Sequence, residues 1–527
     1  MRSIGSGVGR MVIALAACWG LVHHAAEARE SSLPNIILVL ADDLGYGDVW
    51  CNNPQGKIAT PHIDRLAAAG MRFTDAHTTS SVCTPTRYSL LTGRYHWRTR
   101  LQSGVLGGLS PPLIAPGRLT VAELLRRRGY HTGCIGKWHL GMEWPRKAGA
   151  PGFDDNIEKG PEGWNVDFTR PIARGPNTAG FDYYFGISAS LDMVPYTFIE
   201  NDRVTVVPTV DRSFPLMLGR EARRTRPGPA AEKFEAAEVL PALTRRAVEY
   251  IGQRAADARA GRPFFLYFPL NAPHTPIVPT AEWQGRSGLN YYADFVMQVD
   301  SSIGQVARAL EEHGLAENTL FLVTSDNGCS PEADFPALLA QGHHPSYVFR
   351  GHKADIWDGG HRVPLVVRWP GKVRAGSTCD ALVGLIDFMA TAAELVGVKL
   401  PDDAGEDSVS FLPLLLGKTT ARLRETLVHQ SHPGKFAIRQ GRWKLALCAG
   451  SGGWSQPRDA EAAKKGLPPV QLYDMERDPG EQKNLQAEHP EVVKRLTALL
   501  EKYVAEGRST PGAPQPNDVP IDLWKRP

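Results

Sequence analysis

The feature that most constrains this chain is a recurring unit: a short, almost wholly apolar run that stops on polar residues, followed by a segment with helical spacing. The runs at 35–43 (NIILVLADD), 131–140 (HTGCIGKWHL), 263–274 (PFFLYFPLNAPH), 319–328 (TLFLVTSDNG) and 362–371 (RVPLVVRWPG) read as buried strands. Between them, HIDRLAAAG, TVAELLRRRG and YYADFVMQVDSSIGQVARALEEHG repeat apolar residues at helical intervals and finish on glycine, a common helix stop. The alternation predicts an α/β fold: a large, mostly parallel sheet flanked by helices. From about residue 421 the pattern changes to short alternating strands (TLVHQ, KFAIRQ, WKLALC, QLYD) and one amphipathic segment, HPEVVKRLTALLEKYVAEG. That portion predicts a smaller antiparallel sheet plus a helix. The expected divisions are a leader at 1–28, a large domain at 34–420 and a C-terminal subdomain at 421–527.

At 527 residues the chain exceeds what one core usually sustains, which is why a second unit is expected. A net charge of +3 is close to balance, and the cluster Arg220, Arg223, Arg224, Arg226 is short and set among Gly and Pro, so no nucleic-acid partner is expected. Arg2 and Arg10 precede the apolar run MVIALAACWGLV, and AEA at 26–28 offers the small residues of a cleavage site. This is the pattern of a removable export signal, placing the mature protein in the periplasm or outside the cell. LAAC, ending at Cys18, gives the alternative of a lipoprotein box and a lipid anchor. The seven cysteines are widely spaced and do not form a disulfide framework, which leaves room for one or two bridges at most.

Ligands of open α/β sheets gather beyond the carboxyl ends of the strands. Here four runs end in reactive groups: Asp42 and Asp43, Lys137 and His139, Asn271 and His274, Asp326 and Asn327. Adjacent carboxylates at 42 and 43 repel unless a cation joins them. With Asp326 and Asn327 they make a set of oxygen donors suited to calcium or magnesium rather than zinc.

The stretch SSVCTPTRYSLLTGRY (80–95) sets Cys83, Pro85 and Arg87 in a Cys-x-Pro-x-Arg pattern, followed by LTGR. It resembles the signature of the sulfatase family, and NIILVLADDLGYGD, GKWHLG, NAPHTP and TSDNG resemble further blocks of that family in the same order. The resemblance implies an alkaline-phosphatase-like fold and a Cys83 oxidised during export, by a maturation enzyme, to Cα-formylglycine (3-oxoalanine). It implies one calcium ion, magnesium being the alternative, held by Asp42, Asp43, Asp326, Asn327 and the side chain at 83. Arg87 would orient the formylglycine hydrate, Lys137 would contact it and the sulfate, and His139 would be the base that triggers sulfate release. His274 and Lys353 would sit at the ester oxygen, and Ser190, in FGISASLD, would contact sulfate. The Lys353 segment RGHKADIWDGGHRVP lacks the glycine that usually precedes the family's lysine. His343, His344, His352 and His361 lack compact metal-ligand spacing, and some of them are read instead as candidates for the substrate pocket.

Within the family the wording is most similar to bacterial arylsulfatases related to N-acetylgalactosamine-6-sulfatases, which implies a sulfated saccharide substrate with aryl sulfates as surrogates. Two alternatives share the scaffold. A phosphoester or phosphonate hydrolase would keep the metal core, but no second set of Asp and His ligands is visible in the sequence. An inactive carbohydrate-binding relative would not need the full set of Cys83, Arg87, Lys137, His139 and His274.

Overall fold

In the computed structural model, which describes residues 33–156 and 161–525, each apolar run supplies a strand of one ten-stranded sheet. The leader and Cys18 lie outside the described residues. In chain order the strands are β1 (Asn35–Ala41), β2 (Met71–Phe73), β3 (His131–Lys137), β4 (Tyr183–Ile187), β5 (Ile199–Glu200), β6 (Arg203–Val204), β7 (Phe264–Pro269), β8 (Thr319–Ser325), β9 (Leu365–Arg368) and β10 (Ser377–Cys379). Across the sheet they follow the order β10-β2-β9-β8-β1-β7-β3-β4-β5-β6.

From β8 through β1, β7 and β3 to β4 the strands run parallel. The run at 362–371 departs from the expectation, because β9 lies antiparallel to β8, as β2 does to β9. The connection explains the reversal. A parallel return needs a crossover, whereas the segment leaving β8 stays at its carboxyl end. Gly328 N–H donates to the Gly360 carbonyl at 2.9 Å and Lys353 N–H to the Cys329 carbonyl at 2.9 Å. Gly328 is required there, since a Cβ would stand 1.9 Å from the Gly359 oxygen.

The central strands are apolar throughout because both faces are covered. Ile37 and Val39 of β1 and Leu266 and Phe268 of β7 pack with Val296, Val299 and Ile303 of the helix Tyr291–Glu312, and with Leu243, Ala247 and Ile251 of the helix Val239–Arg259. On the other face the Phe265 ring lies 6.0 Å from Phe388, which opens the helix Phe388–Leu395. Truncating a side chain such as Leu266 to alanine costs about 2–5 kcal/mol by the usual behaviour of filled cores.

The C-terminal strands β11 (Thr426–Gln430), β12 (Phe436–Gln440), β13 (Trp443–Ala446) and β14 (Gln471–Asp474) form an antiparallel sheet in sequence order. Their period of two divides the contacts. Ile438, Leu445 and Leu472 pack against Leu496 and Leu500 of the helix Pro490–Glu506, while the alternating neighbours Ala437, Ala446 and Tyr473 pack on Ile356 and Trp357. The second face thus supports the segment that carries Lys353. The six described cysteines are all free. Among the described residues no helix is long and apolar enough to cross a membrane.

Candidate active site

Cys83 is the first residue of the helix Cys83–Thr92. Pro85 is tolerated in that first turn because N–H groups there have no acceptor within the helix. Arg87, one turn on, falls on the same face as Cys83. Val82 is extended (φ −145°) and gives no side-chain cap, so the amide end of the helix is not closed by a neighbouring side chain. The glycine of LTGR ends the helix in the left-handed region (Gly93 φ 65°), where a Cβ would stand 2.8 Å from Gly405 and Met389.

Beyond the carboxyl ends of β1 and β8 the predicted oxygen donors converge on this helix. The Cys83 sulfur and carboxylate oxygens of Asp42 and Asp326 lie within 4.8 Å of one another, as do oxygens of Asp42 and Asp43 and a ring nitrogen of His274. Arg87 donates through Nε (3.0 Å) and Nη2 (2.7 Å) to Asp326 Oδ2, and through Nη1 to the Lys137 carbonyl (2.9 Å). Lys137 Nζ donates to Asp42 Oδ2 at 2.6 Å. Asn327 Nδ2 donates to Asp43 Oδ1 at 2.7 Å, and Lys353 Nζ lies 2.7 and 2.8 Å from the two oxygens of the same carboxylate. Asp43 itself takes a left-handed backbone (φ 67°), which aspartate tolerates better than most residues. His274 Nε2 stands 3.8 Å from Asp43 Oδ2, its Nδ1 donating to the Thr275 carbonyl at 2.7 Å. All of these side chains are buried.

Burial on this scale makes the charges interdependent. Burial opposes ionisation of Asp42, but Lys137, His274, Arg87 and Lys353 together hold its carboxyl well below the usual range. Asp326 goes the other way: burial and the adjacent Asp42 push it up to about 6 despite Arg87. Lys353 would lose its proton to burial, yet Asp43 raises it above an ordinary lysine. Burial also raises the Cys83 thiol, only partly offset by Lys137 and Lys353. Since the thiolate is the nucleophilic form, the unmodified cysteine is poorly suited to attack.

His139 is buried with a left-handed backbone (φ 56°). Its Nε2 is 2.8 Å from the Leu106 carbonyl, which assigns the proton to that nitrogen and leaves Nδ1 as a lone pair; among the described residues Nδ1 has no partner. Burial, Lys137 and Arg87 hold the ring well below its ordinary pKa, so it is neutral.

Two buried oxygens, Asp42 Oδ1 and Asn327 Oδ1, have no hydrogen-bond partner among the described residues. Orphaned acceptors beside Asp43 and Asp326 are what a hard cation needs, and the donor set fits calcium or magnesium. Ser190 is buried with its hydroxyl unpartnered. It makes no hydrogen bond to the cluster, although Ser188, two residues earlier, accepts the His139 N–H at 2.9 Å.

The histidines at 343, 344, 352 and 361 do not converge. His343 bonds Asp48 (2.8 Å), His352 bonds Ser455 (2.9 Å), His344 is exposed and His361 is buried elsewhere. The expectation that such residues line the substrate pocket is not met for His343 and His361, both fully enclosed by protein. His361 instead joins His77 and His429, which sequence reasoning missed because they are far apart in the chain. His77 Nδ1 lies 3.1 Å from His361 Nδ1, but the His361 and His429 rings stack at 3.8 Å with an interplanar angle of 13°. A metal binds in the plane of an imidazole, so two rings stacked face to face cannot share one. Burial keeps all three below their ordinary pKa. Through Asp75 (2.9 Å), Lys444 (3.1 Å) and the Thr78 carbonyl (2.9 Å), the trio braces the segment leading to Cys83.

The sulfatase family model matches residues 34–398, and a second model, the C-terminal part of N-sulphoglucosamine sulphohydrolase, matches 352–447 and so takes in Lys353. The chain is 34% identical to an N-acetylgalactosamine-6-O-sulfatase of Bacteroides thetaiotaomicron over 90% of this chain and 94% of that protein. It is 33% identical to human arylsulfatase A over 88% of this chain and 87% of that protein. A solved Bacteroides thetaiotaomicron 6S-sulfatase, from work on the metabolism of multiple glycosaminoglycans, superposes with a TM-score of 0.77 at 34% identity, covering 90% of this chain and 99% of that one. The geometry and these similarities agree: the chain belongs to the sulfatase family and is a sulfuric ester hydrolase.

Proposed function

We propose that the chain removes sulfate from a sulfated saccharide, with aryl sulfates as surrogates, using a formylglycine made from Cys83 and one calcium ion, magnesium being the alternative. The observation that carries this reading is the approach of the Cys83 sulfur to Asp42 and Asp326 within 4.8 Å, among the buried cations Arg87, Lys137 and Lys353. A nucleophile position, an ion site and charge complementary to an anion occupy one place. The saccharide preference draws on the N-acetylgalactosamine-6-O-sulfatase relative.

A formylglycine hydrate supplies two geminal hydroxyls, one to attack sulfur and one whose deprotonation expels sulfate, and a divalent ion supplies positive charge to the transferring group. Asp42, Asp43, Asp326 and Asn327 would hold that ion. Arg87, fixed between Asp326 and the Lys137 carbonyl, orients the residue at 83. Lys137 and Lys353 set their charges against the anionic sulfuryl group. His139 presents the Nδ1 lone pair that takes the hydrate's proton, because Leu106 engages its other nitrogen. His274 and Lys353 meet on Asp43, where one of them passes a proton to the departing alkoxide. Ser190 is assigned to the sulfate oxygens. The leader at 1–28 places the mature enzyme in the periplasm or outside the cell, lipid-anchored if Cys18 is the processing site, and a maturation enzyme is its required partner.

The test is release of inorganic sulfate from N-acetylgalactosamine 6-sulfate, measured beside phosphate release from the matching phosphate ester. Faster cleavage of the phosphate ester would overturn the assignment.

A further inference from the structure

A cavity of about 650 Å³ opens between the loop at 104–109, the segment 152–156, Glu162 and the C-terminal sheet. Its volume falls in the range of small-molecule sites. Its wall includes Gly104, Val105, Phe153, Asp154, Glu162 and His432, and no lysine or arginine is among the described residues that line it.

Backbone contacts join this cavity to the catalytic cluster. His432 N–H donates to the Ala354 carbonyl at 3.0 Å, next to Lys353, and the Gly104 N–H donates to the His432 carbonyl at 2.7 Å. Ala354 N–H in turn donates to the Ser81 carbonyl at 2.9 Å, two residues before Cys83. On the loop's far side the Leu106 carbonyl accepts from His139, and the Leu106 N–H donates to Thr84 at 3.3 Å. Two parts of the cavity wall are therefore hydrogen-bonded, through Thr84 and through Ala354 to Ser81, to either side of the residue at 83.

The His432 ring is half-buried and rests 5.3 Å from the Trp454 ring, which limits its orientation. Among the described residues its ring nitrogens have no hydrogen-bond partner. Burial, with the charge of Lys353 adding to it, lowers the pKa of this ring, so at neutral pH it offers one donor and one acceptor rather than a second cation. Phe153 adds a half-buried aromatic side chain, and Asp154 and Glu162 add acceptors. Such a wall suits hydroxyl and amide groups. Among the described residues the wall offers no cation to a second anion, in contrast to the cation-rich floor where the sulfate would lie.

We propose that this cavity receives the sugar ring bearing the scissile sulfate, and that His432 selects an uncharged ring by hydrogen bonding its hydroxyl or amide groups. The inference rests on the saccharide-sulfatase reading above and adds to it a specificity residue supplied by the turn between β11 and β12 of the C-terminal sheet. His432 is remote from the sulfur-transfer step in this account, so its contribution is to saccharide recognition.

The experiment compares kcat/KM for N-acetylgalactosamine 6-sulfate with kcat/KM for 4-nitrophenyl sulfate in the mature wild-type enzyme, His432→Ala and His432→Gln. The ratio of sugar to aryl substrate should fall about tenfold or more in His432→Ala, mainly through KM, because one to two hydrogen bonds to the sugar are lost. His432→Gln, which keeps a donor and an acceptor, should recover part of the ratio. A ratio within about twofold of wild type in both variants, the spread expected when no contact is lost, overturns the role of His432 while leaving the sulfatase reading in place. A wild-type enzyme that releases sulfate from neither substrate overturns that reading, and this inference with it.

Discussion

Arg87 and Asp326, 239 positions apart in sequence, are joined by two hydrogen bonds to a single carboxylate oxygen, at 3.0 and 2.7 Å. This contact fixes the helix that begins at Cys83 against the end of β8, and so couples the position of residue 83 to the oxygen donors proposed to hold the ion.

Arg87→Ala leaves Asp326 buried without its partner, a loss of about 3–5 kcal/mol for a pair of this kind. Arg87→Lys keeps the charge but cannot reach both Asp326 and the Lys137 carbonyl. Its expected signature is near-native stability in denaturant titration with kcat/KM reduced about 100-fold, as for a misplaced catalytic group. Near-native activity in the lysine variant would argue against a positioning role.

His139→Gln should lower kcat by about 10²–10⁴ with little change in KM, the range for removing a general base. Because the ring is held neutral well below the ordinary histidine value, the wild-type kcat should not fall on protonation of this residue near pH 6.5. A pH profile of kcat from 5 to 8 checks both expectations.

The buried histidines should subtract stability as pH falls below about 6.5, the ordinary histidine value. His77, His139, His361 and His429 are held below it, and His96 goes down to about 3, in each case chiefly by burial. In that window the unfolded chain takes up protons that the folded chain refuses, so unfolding gains about 1.4 kcal/mol per pH unit for each such group. The stabilisation is complete above the unfolded pKa and is lost toward acid. Asp300 and Glu481, pushed up to about 7, and Asp326, pushed up to about 6, act in the opposite sense, so the readout is a difference. In thermal melts between pH 4 and 8, Tm should fall less steeply with acid in His96→Gln than in the wild type, and equal slopes would contradict the argument.

Chelation with EGTA or EDTA should abolish turnover, and added calcium should restore it and raise Tm in proportion to ln[Ca²⁺] above the dissociation constant. Asp326→Asn, which removes one carboxylate from the donor set, should require more calcium for half-maximal activity. Full activity after exhaustive chelation would remove the ion from the account.

Cys83→Ser separates the aldehyde from an ordinary hydroxyl nucleophile. A serine that attacked sulfur would have no second hydroxyl with which to expel sulfate. The expected outcome is at most a single turnover leaving a sulfated protein, visible by intact mass. Steady-state turnover by this variant would contradict the need for a hydrate.

Much of this site was legible in the sequence because its donors stand at the ends of apolar strands, and a parallel sheet gathers such ends on one edge. Asp42, Asp43, Lys137, His139, His274, Asp326 and Asn327 came together for that reason. The direction of β9 was not legible, since it depends on a connection that lacks strand or helix periodicity yet bonds back through Gly328 and Lys353. His77, His361 and His429 escaped notice because three elements remote in sequence bring them together, with no spacing to mark them. The role given to Ser190 came from resemblance alone, and its hydroxyl has no partner among the described residues to supply a geometric reason for it.

The central claim is that residue 83 functions as an aldehyde beside a divalent ion. Its most direct test is mass spectrometry of the tryptic peptide spanning Cys83 from active enzyme, with and without a hydrazide probe. The account predicts a peptide whose thiol has been replaced by a carbonyl, hydrazide-reactive, in a fraction that tracks specific activity across preparations. Fully active enzyme carrying only an unmodified thiol at 83 would contradict it.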